Sequence, residues 1–137
     1  MNQKNTLLAG ILLGALGVVI GAFGAHALNP VLEANNRLET YEVAVRYQFY
    51  HALALVMIGI LMDKFSSTRL HYAALFVFLG VIIFSGSLYI LSLSGITVLG
   101  AITPFGGALM IIGWILLLAG ILQRVPADKS KNKNQIG

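Results

Sequence analysis

From Leu70 to Gln123 the chain runs for 54 residues without an Asp, Glu, Lys or Arg. As one straight helix that run would be about 80 Å long at 1.5 Å per residue, against a hydrocarbon core about 30 Å thick. The pattern therefore predicts two crossings, divided at the small and polar cluster Ser92-Leu93-Ser94-Gly95 with Thr97. Two more apolar segments precede them, giving four spans over about 6–28, 44–62, 70–93 and 99–122. Each is close to the ~20 residues a helical crossing requires. Helices are expected throughout, because backbone groups cannot be left unpaired in lipid. The expected fold is an all-α membrane protein, a four-transmembrane-helix bundle forming one domain over 1–124. A polar, lysine-rich tail over 125–137 is expected to be disordered and cytoplasmic.

Punctuation between the spans is legible in places. Asn29-Pro30 is expected to close the first helix, since proline cannot continue it. Asn36 followed by Glu39 resembles a capping box that would open the second. Ser66-Ser67-Thr68 offers caps for the third, and Thr103-Pro104 reads as a cap with proline in the first turn of the fourth. Within the spans, Gly10, Gly14, Gly17, Gly21 and Gly24 form one continuous face on the first helix. Gly106, Gly113 and Gly120 recur at sevens on the fourth, with Met110 and Leu117 between them. Small residues let helix backbones approach closely in lipid, so these faces predict glycine-rich helix packing. A second copy of the chain is the alternative partner for such a face.

Charge sets the direction. Four spans put both termini on one side, and that side holds seven basic residues: Lys4, Lys64, Arg69, Arg124, Lys129, Lys131 and Lys133. The other side has Arg37 and Arg46. The positive-inside rule then predicts N-in/C-in, with both termini cytoplasmic. Lys4, the apolar stretch and Ala25-His26-Ala27 also imitate a cleaved secretory signal. The length of that stretch and its glycine face favour a retained span. Only 10% of the chain is charged, against about 25% in soluble domains, which excludes an ordinary globular fold. The net charge of +4 is concentrated in the tail, where it points to anionic lipid and not to nucleic acid. Without cysteine there is no disulfide, thiolate metal site or c-type haem attachment.

The polar residues of the spans gather at one depth. His26 ends the first helix, and Tyr47, Gln48 and His51 share a face of the second. Ser85, Tyr89 and Ser92 form a stripe on the third, and Thr103 opens the fourth. All lie in the outer half of the bilayer, so His26, Tyr47, Gln48, His51, Ser85, Tyr89 and Thr103 form a candidate polar pocket. Polar groups inside a membrane face the bundle interior and are functional candidates by default, although neutral ones also act as glue between helices. A non-enzymatic structural, lipid-interacting or accessory role is the first expectation, with a membrane-protein partner. A small-solute transporter or channel lined by Gln48, His51 and Tyr89 is the alternative. No buried carboxylate is available for a proton-coupled cation pump. His26 and His51 could in principle hold a haem between helices, but no third ligand completes a zinc site. The chain has no Walker lysine and no buried acid for a Ser–His–Asp set, so no enzyme, cofactor or metal is expected.

Five stretches, in order, resemble a known family. Gly21 to Leu28 (GAFGAHAL), Tyr47 to Leu55 (YQFYHALAL), Phe84 to Leu91 (FSGSLYIL), Leu99 to Gly107 (LGAITPFGG) and Gly113-Trp114 carry the likeness. The chain resembles the small membrane proteins called domain of unknown function 423, or uncharacterised protein family 0382, over about Leu7 to Leu122. Ala27 departs from the glycine common after the histidine. The resemblance implies a bacterial plasma-membrane protein of this architecture. It assigns no catalytic residue.

Overall fold

A computed structural model describes residues 1–123 of the chain. The basic tail expected over 125–137, with its anionic-lipid contact, and Arg124 lie outside the described residues. The described chain is all helical, with no strand among those residues. Its elements are α1 (Gln3–Ala25), α2 (Asn29–Ala34), α3 (Leu38–Lys64), α4 (Thr68–Ser94), a 3-10 turn (Thr97–Ala101) and α5 (Thr103–Leu122). Four segments are long and apolar enough to cross a membrane: α1, α3, α4, and the 3-10 turn continued by α5.

Local chemistry sets the ends. Asn2 caps α1 by accepting from the Asn5 amide at 2.8 Å, and Ser67 caps α4 through the Arg69 amide at 3.4 Å. Gly95 stops α4 in the left-handed region at φ 72°, where glycine carries no Cβ penalty. Two expectations at the first loop are corrected. Asn29-Pro30 does not close the first helix, which already ends at Ala25; Pro30 instead sits in the first turn of α2, where its missing N–H costs nothing. Asn36 does not cap α3 in a capping box. It takes φ 53° and ends α2, with its amide on the Glu33 carbonyl and the Arg37 amide on the Leu32 carbonyl. Those two bonds are a Schellman closure, so Arg37 is left as the uncapped entry to α3. Pro104 sits in the first turn of α5 as expected, but Thr103 is already helical and does not cap it; Ile102 holds the cap position without a side-chain bond.

α3 and α4 form the central pair. α1 packs along α3, α5 packs along α4, and α1 touches α4 only lightly. The helices therefore lie as a row of neighbours in chain order, with α1 and α5 on opposite flanks. The core follows this row: Leu13, Leu55, Ile58, Leu70, Val77, Met110 and Leu117 with alanines between them. At one end of the molecule, Gln3 donates to the Gly59 carbonyl at 3.1 Å and Ser67 to Gln123 at 3.0 Å. Both ends of the described chain thus meet beside the α3–α4 turn. At the other end Asn35 donates to the carbonyls of Ser92 and Leu93, each at 3.0 Å, and pins α2 to the last turn of α4.

Glycine positions mark the tightest approaches. A Cβ on Gly10 would lie 2.8 Å from the Ala52 carbonyl oxygen, and one on Gly24 would strike the Tyr41 ring. Gly14, Gly17 and Gly21 also face α3, with Ala52, Gln48 and Val45 opposite. On α5, a Cβ on Gly106 would run into the Phe84 backbone. One on Gly113 would meet Val77, and one on Gly120 would meet Leu70.

Candidate functional site

The polar residues are distributed along the row of helices. Gln48, only 3% exposed, sits where α1, α3 and α4 meet. Its Nε2 donates to the Leu13 carbonyl at 2.8 Å, and its Oε1 accepts from the Tyr89 hydroxyl at 2.7 Å. One side chain therefore ties three spans. Two turns toward the start of α3, the Tyr41 hydroxyl donates to the Ile20 carbonyl at 2.9 Å. The Tyr41 ring lies tilted against Tyr89, with centroids 5.2 Å apart. Ser85 is buried and donates across the central pair to the Ala44 carbonyl at 2.9 Å.

A second set joins the central pair to α5. His51 uses Nδ1 as donor to the Tyr47 carbonyl of its own helix at 2.8 Å. That bond assigns the proton to Nδ1 and leaves Nε2 as an acceptor. Nε2 accepts from the Trp114 indole N–H at 3.3 Å. Nearby, the hydroxyls of Ser87 and Thr103 meet at 2.8 Å across α4 and α5, and Ser87 also donates to the Phe84 carbonyl. Ser92 turns back on its own helix, donating to Leu88 at 2.7 Å. Among the described residues, every buried side-chain nitrogen and oxygen has a partner.

Of the seven residues expected to form a pocket, the structure brings Gln48 and Tyr89 into direct contact. Ser85 bonds in the same central interface. His51 and Thr103 belong to separate contacts with α5. Tyr47 is 40% exposed, its ring packed on Phe84 with centroids 4.7 Å apart and stacked over His51 at 6.0 Å. His26 is set apart, exposed at the end of α1 beside Phe23. Gly24 abuts Tyr41, and His51 lies ten residues further along α3, so the two histidines differ in depth by about 15 Å. That separation, with both nitrogens of His51 engaged, does not suit a haem between them. No group of three or more His, Asp or Glu placed to hold a metal occurs among the described residues.

Comparison with known proteins places the chain. The sequence profile described as "Protein of unknown function (DUF423)" matches residues 20–107. The chain belongs to this family. A UPF0382 membrane protein of Staphylococcus haemolyticus is 46% identical over 116 residues, covering 85% of this chain and 93% of the relative. A UPF0382 membrane protein of Staphylococcus aureus is 48% identical over 112 residues, covering 79% and 90%. The UPF0382 membrane protein YwdK of Bacillus subtilis is 40% identical over 122 residues, covering 88% and 98%. No solved structure matches the chain. As a DUF423 member with four membrane-capable helices, it is a membrane protein like these bacterial relatives.

The sequence pattern missed four of the residues that join the helices. Tyr41 precedes the uncharged segment of the second span and so escapes a search for buried polar groups. Trp114 stands among apolar residues, with nothing beside it in the sequence to mark His51 as the partner of its N–H. Ser87 falls between the members of the Ser85–Tyr89–Ser92 stripe, and Asn35 lies in a loop. The common feature is pairing: Tyr41, Trp114 and Asn35 each donate to an acceptor on a neighbouring helix, and Ser87, whose own proton goes to Phe84, accepts from Thr103.

Proposed function

We propose that this DUF423 protein is a multi-pass plasma-membrane protein with a non-enzymatic structural, lipid-interacting or accessory role. Its termini are cytoplasmic, and the glycine faces of α1 and α5 set how closely the helices pack. The observation that carries the reading is the use of the polar side chains. Gln48, Tyr89, Ser85 and the His51–Trp114 and Ser87–Thr103 pairs are all occupied in holding helices together. Polar groups used this way act as interhelical fasteners. The orientation is supported by the seven basic residues on the side of the termini against two on the other. The outward apolar faces, such as Ile11, Leu12 and Val18 on α1 and Ile111, Ile115 and Leu118 on α5, suit contact with lipid, a second copy or another membrane protein. The basic tail adds attraction to anionic lipid.

The chain contains no cysteine, so single cysteines report topology without background. Ser66→Cys should resist a membrane-impermeant maleimide in intact cells, while Asn36→Cys should react; the opposite pattern reverses the orientation. In a second assay, vesicles containing the protein should swell in glycerol or urea no faster than empty vesicles. Faster swelling that Gln48→Leu abolishes would replace the structural reading with a solute path.

A further inference from the structure

A groove of about 450 Å³ runs between α1 and α3 at the end where α1 stops and α3 begins. Two stripes build it. On α1, Gly21, Gly24 and Ala25 contribute almost no side chain, so they form a shallow floor. On α3, Glu42, Val45, Arg46, Phe49 and Tyr50 follow one another at helical spacing along the facing wall. Because no large side chain fills the α1 side, the space between the helices stays open to the lipid flanking them.

The chemistry of the wall changes with depth. α3 has 27 residues, longer than the ~20 that hydrocarbon requires, so its first turns stand at headgroup level. Glu42 occupies those turns and Arg46 lies one turn further in; both are exposed, with Cβ atoms about 5–6 Å from each other. Val45 lies between the two charges, and deeper in Phe49 and the exposed Tyr50 make the wall aromatic and apolar. One negative and one positive group, side by side above an apolar slot, match a ligand with the same three parts.

We propose that this groove holds one zwitterionic phospholipid, with its phosphate at Arg46, its ammonium at Glu42 and the start of an acyl chain against Phe49 and Tyr50. Arg46 offers the planar fork suited to phosphate oxygens. An anionic lipid with an uncharged head would satisfy Arg46 and place its headgroup beside Glu42 without a positive partner. The site therefore selects by headgroup. The inference deepens the lipid-interacting part of the proposed function and needs only that α1 and α3 cross the bilayer; the orientation proposed above decides which leaflet it faces.

The test is native mass spectrometry of the full chain ejected from nanodiscs made with equal amounts of phosphatidylethanolamine and phosphatidylglycerol. The wild type should retain one phosphatidylethanolamine several-fold more often than phosphatidylglycerol. Glu42→Gln should lower that preference about fivefold, the upper range for a partly exposed charge pair. Arg46→Gln should reduce retention of both lipids, and Ala25→Phe, which fills the floor, should abolish it. Retention of the two lipids in the disc's own ratio by the wild type overturns the proposal. So does a phosphatidylethanolamine preference that survives Glu42→Gln, a readout independent of the fraction of protein folded. Reversed cysteine labelling would move the groove to the inner leaflet and leave headgroup selectivity unchanged, so the two readings fail separately.

Discussion

Removing the Tyr89 hydroxyl and the Gln48 amide, singly and together, measures how far one side chain holds three helices. Tyr89→Phe leaves the ring in place and deletes the donor 2.7 Å from Gln48 Oε1. Because Gln48 is 3% exposed, that oxygen gains no water in exchange, and the expected cost is about 1–2 kcal/mol. Gln48→Leu keeps a similar volume but removes both bonds, including the 2.8 Å contact with the Leu13 carbonyl. The Leu13 carbonyl remains in the α1 ladder, so its loss is small. The Tyr89 hydroxyl, half-buried, loses its partner at a cost of about 1 kcal/mol. Once the glutamine is gone, Tyr89→Phe removes the unpartnered hydroxyl and should recover about 1 kcal/mol, leaving the double variant near the wild type, since replacing both partners by apolar groups is often nearly neutral. The double variant should therefore be more stable than the sum of the single losses predicts, by about 2–3 kcal/mol. Equilibrium unfolding in mixed detergent micelles gives the four free energies, and the single tryptophan, Trp114 on α5, is a built-in probe. Effects that add to within about 0.3 kcal/mol would mean the two side chains act independently. The three-helix junction would then be refuted.

Gly106→Ala places a methyl against the Phe84 backbone, which cannot move unless α4 and α5 separate; a loss of about 2 kcal/mol is expected. Gly86→Ala is the internal control, because nothing lies within 4 Å of its added Cβ, and its unfolding midpoint should hold or rise slightly. Equal losses in the two variants would show that helix packing does not depend on the close approach at Gly106. Asn35→Ala removes both bonds that pin α2 to the end of α4. Hydrogen exchange of the amides in 29–37 should accelerate about fivefold, matching roughly 1 kcal/mol of local stability, with α3 and α4 protected as before. Unchanged exchange in that loop would refute the anchoring role.

The four apolar segments were legible because hydropathy depends on residue type alone, and the solvent enforces it. Their punctuation was less so. Thr103-Pro104 does start a helix, since a proline fixed near helical φ suits the first turn wherever it occurs, but Ile102 takes the cap position and Thr103 turns its hydroxyl to Ser87 instead of capping. Asn29-Pro30 obeys the same rule but opens a six-residue helix that hydropathy could not reveal. Once α2 exists it needs an end, and Asn36 supplies it by taking the left-handed conformation that asparagine tolerates. The capping-box pattern of Asn36 and Glu39 was a real sequence match. It lost to a neighbouring helix competing for the same residue.

The site was harder to read for a related reason. Depth follows from position along a span, so the sequence could gather Gln48, His51, Ser85 and Tyr89 near one level. Direction around the helix axis decides partners, and it depends on which helices are neighbours. Ser85 and Ser92 illustrate the gap: they share a stripe, yet Ser85 bonds α3 while Ser92 bonds its own helix four residues back. Either choice satisfies a serine hydroxyl, and only the close pairing of α3 with α4 near Ala44 decides the first. The row-like order of the helices then explains why the polar residues divide into two sets. Gln48 and Tyr41 reach α1, while His51, Ser87 and Thr103 serve the contacts of α5. A ring of four helices would have turned these groups toward one common axis. A row gives each interface its own fasteners, and it leaves the flank between α1 and α3 open, where Glu42 and Arg46 line the groove.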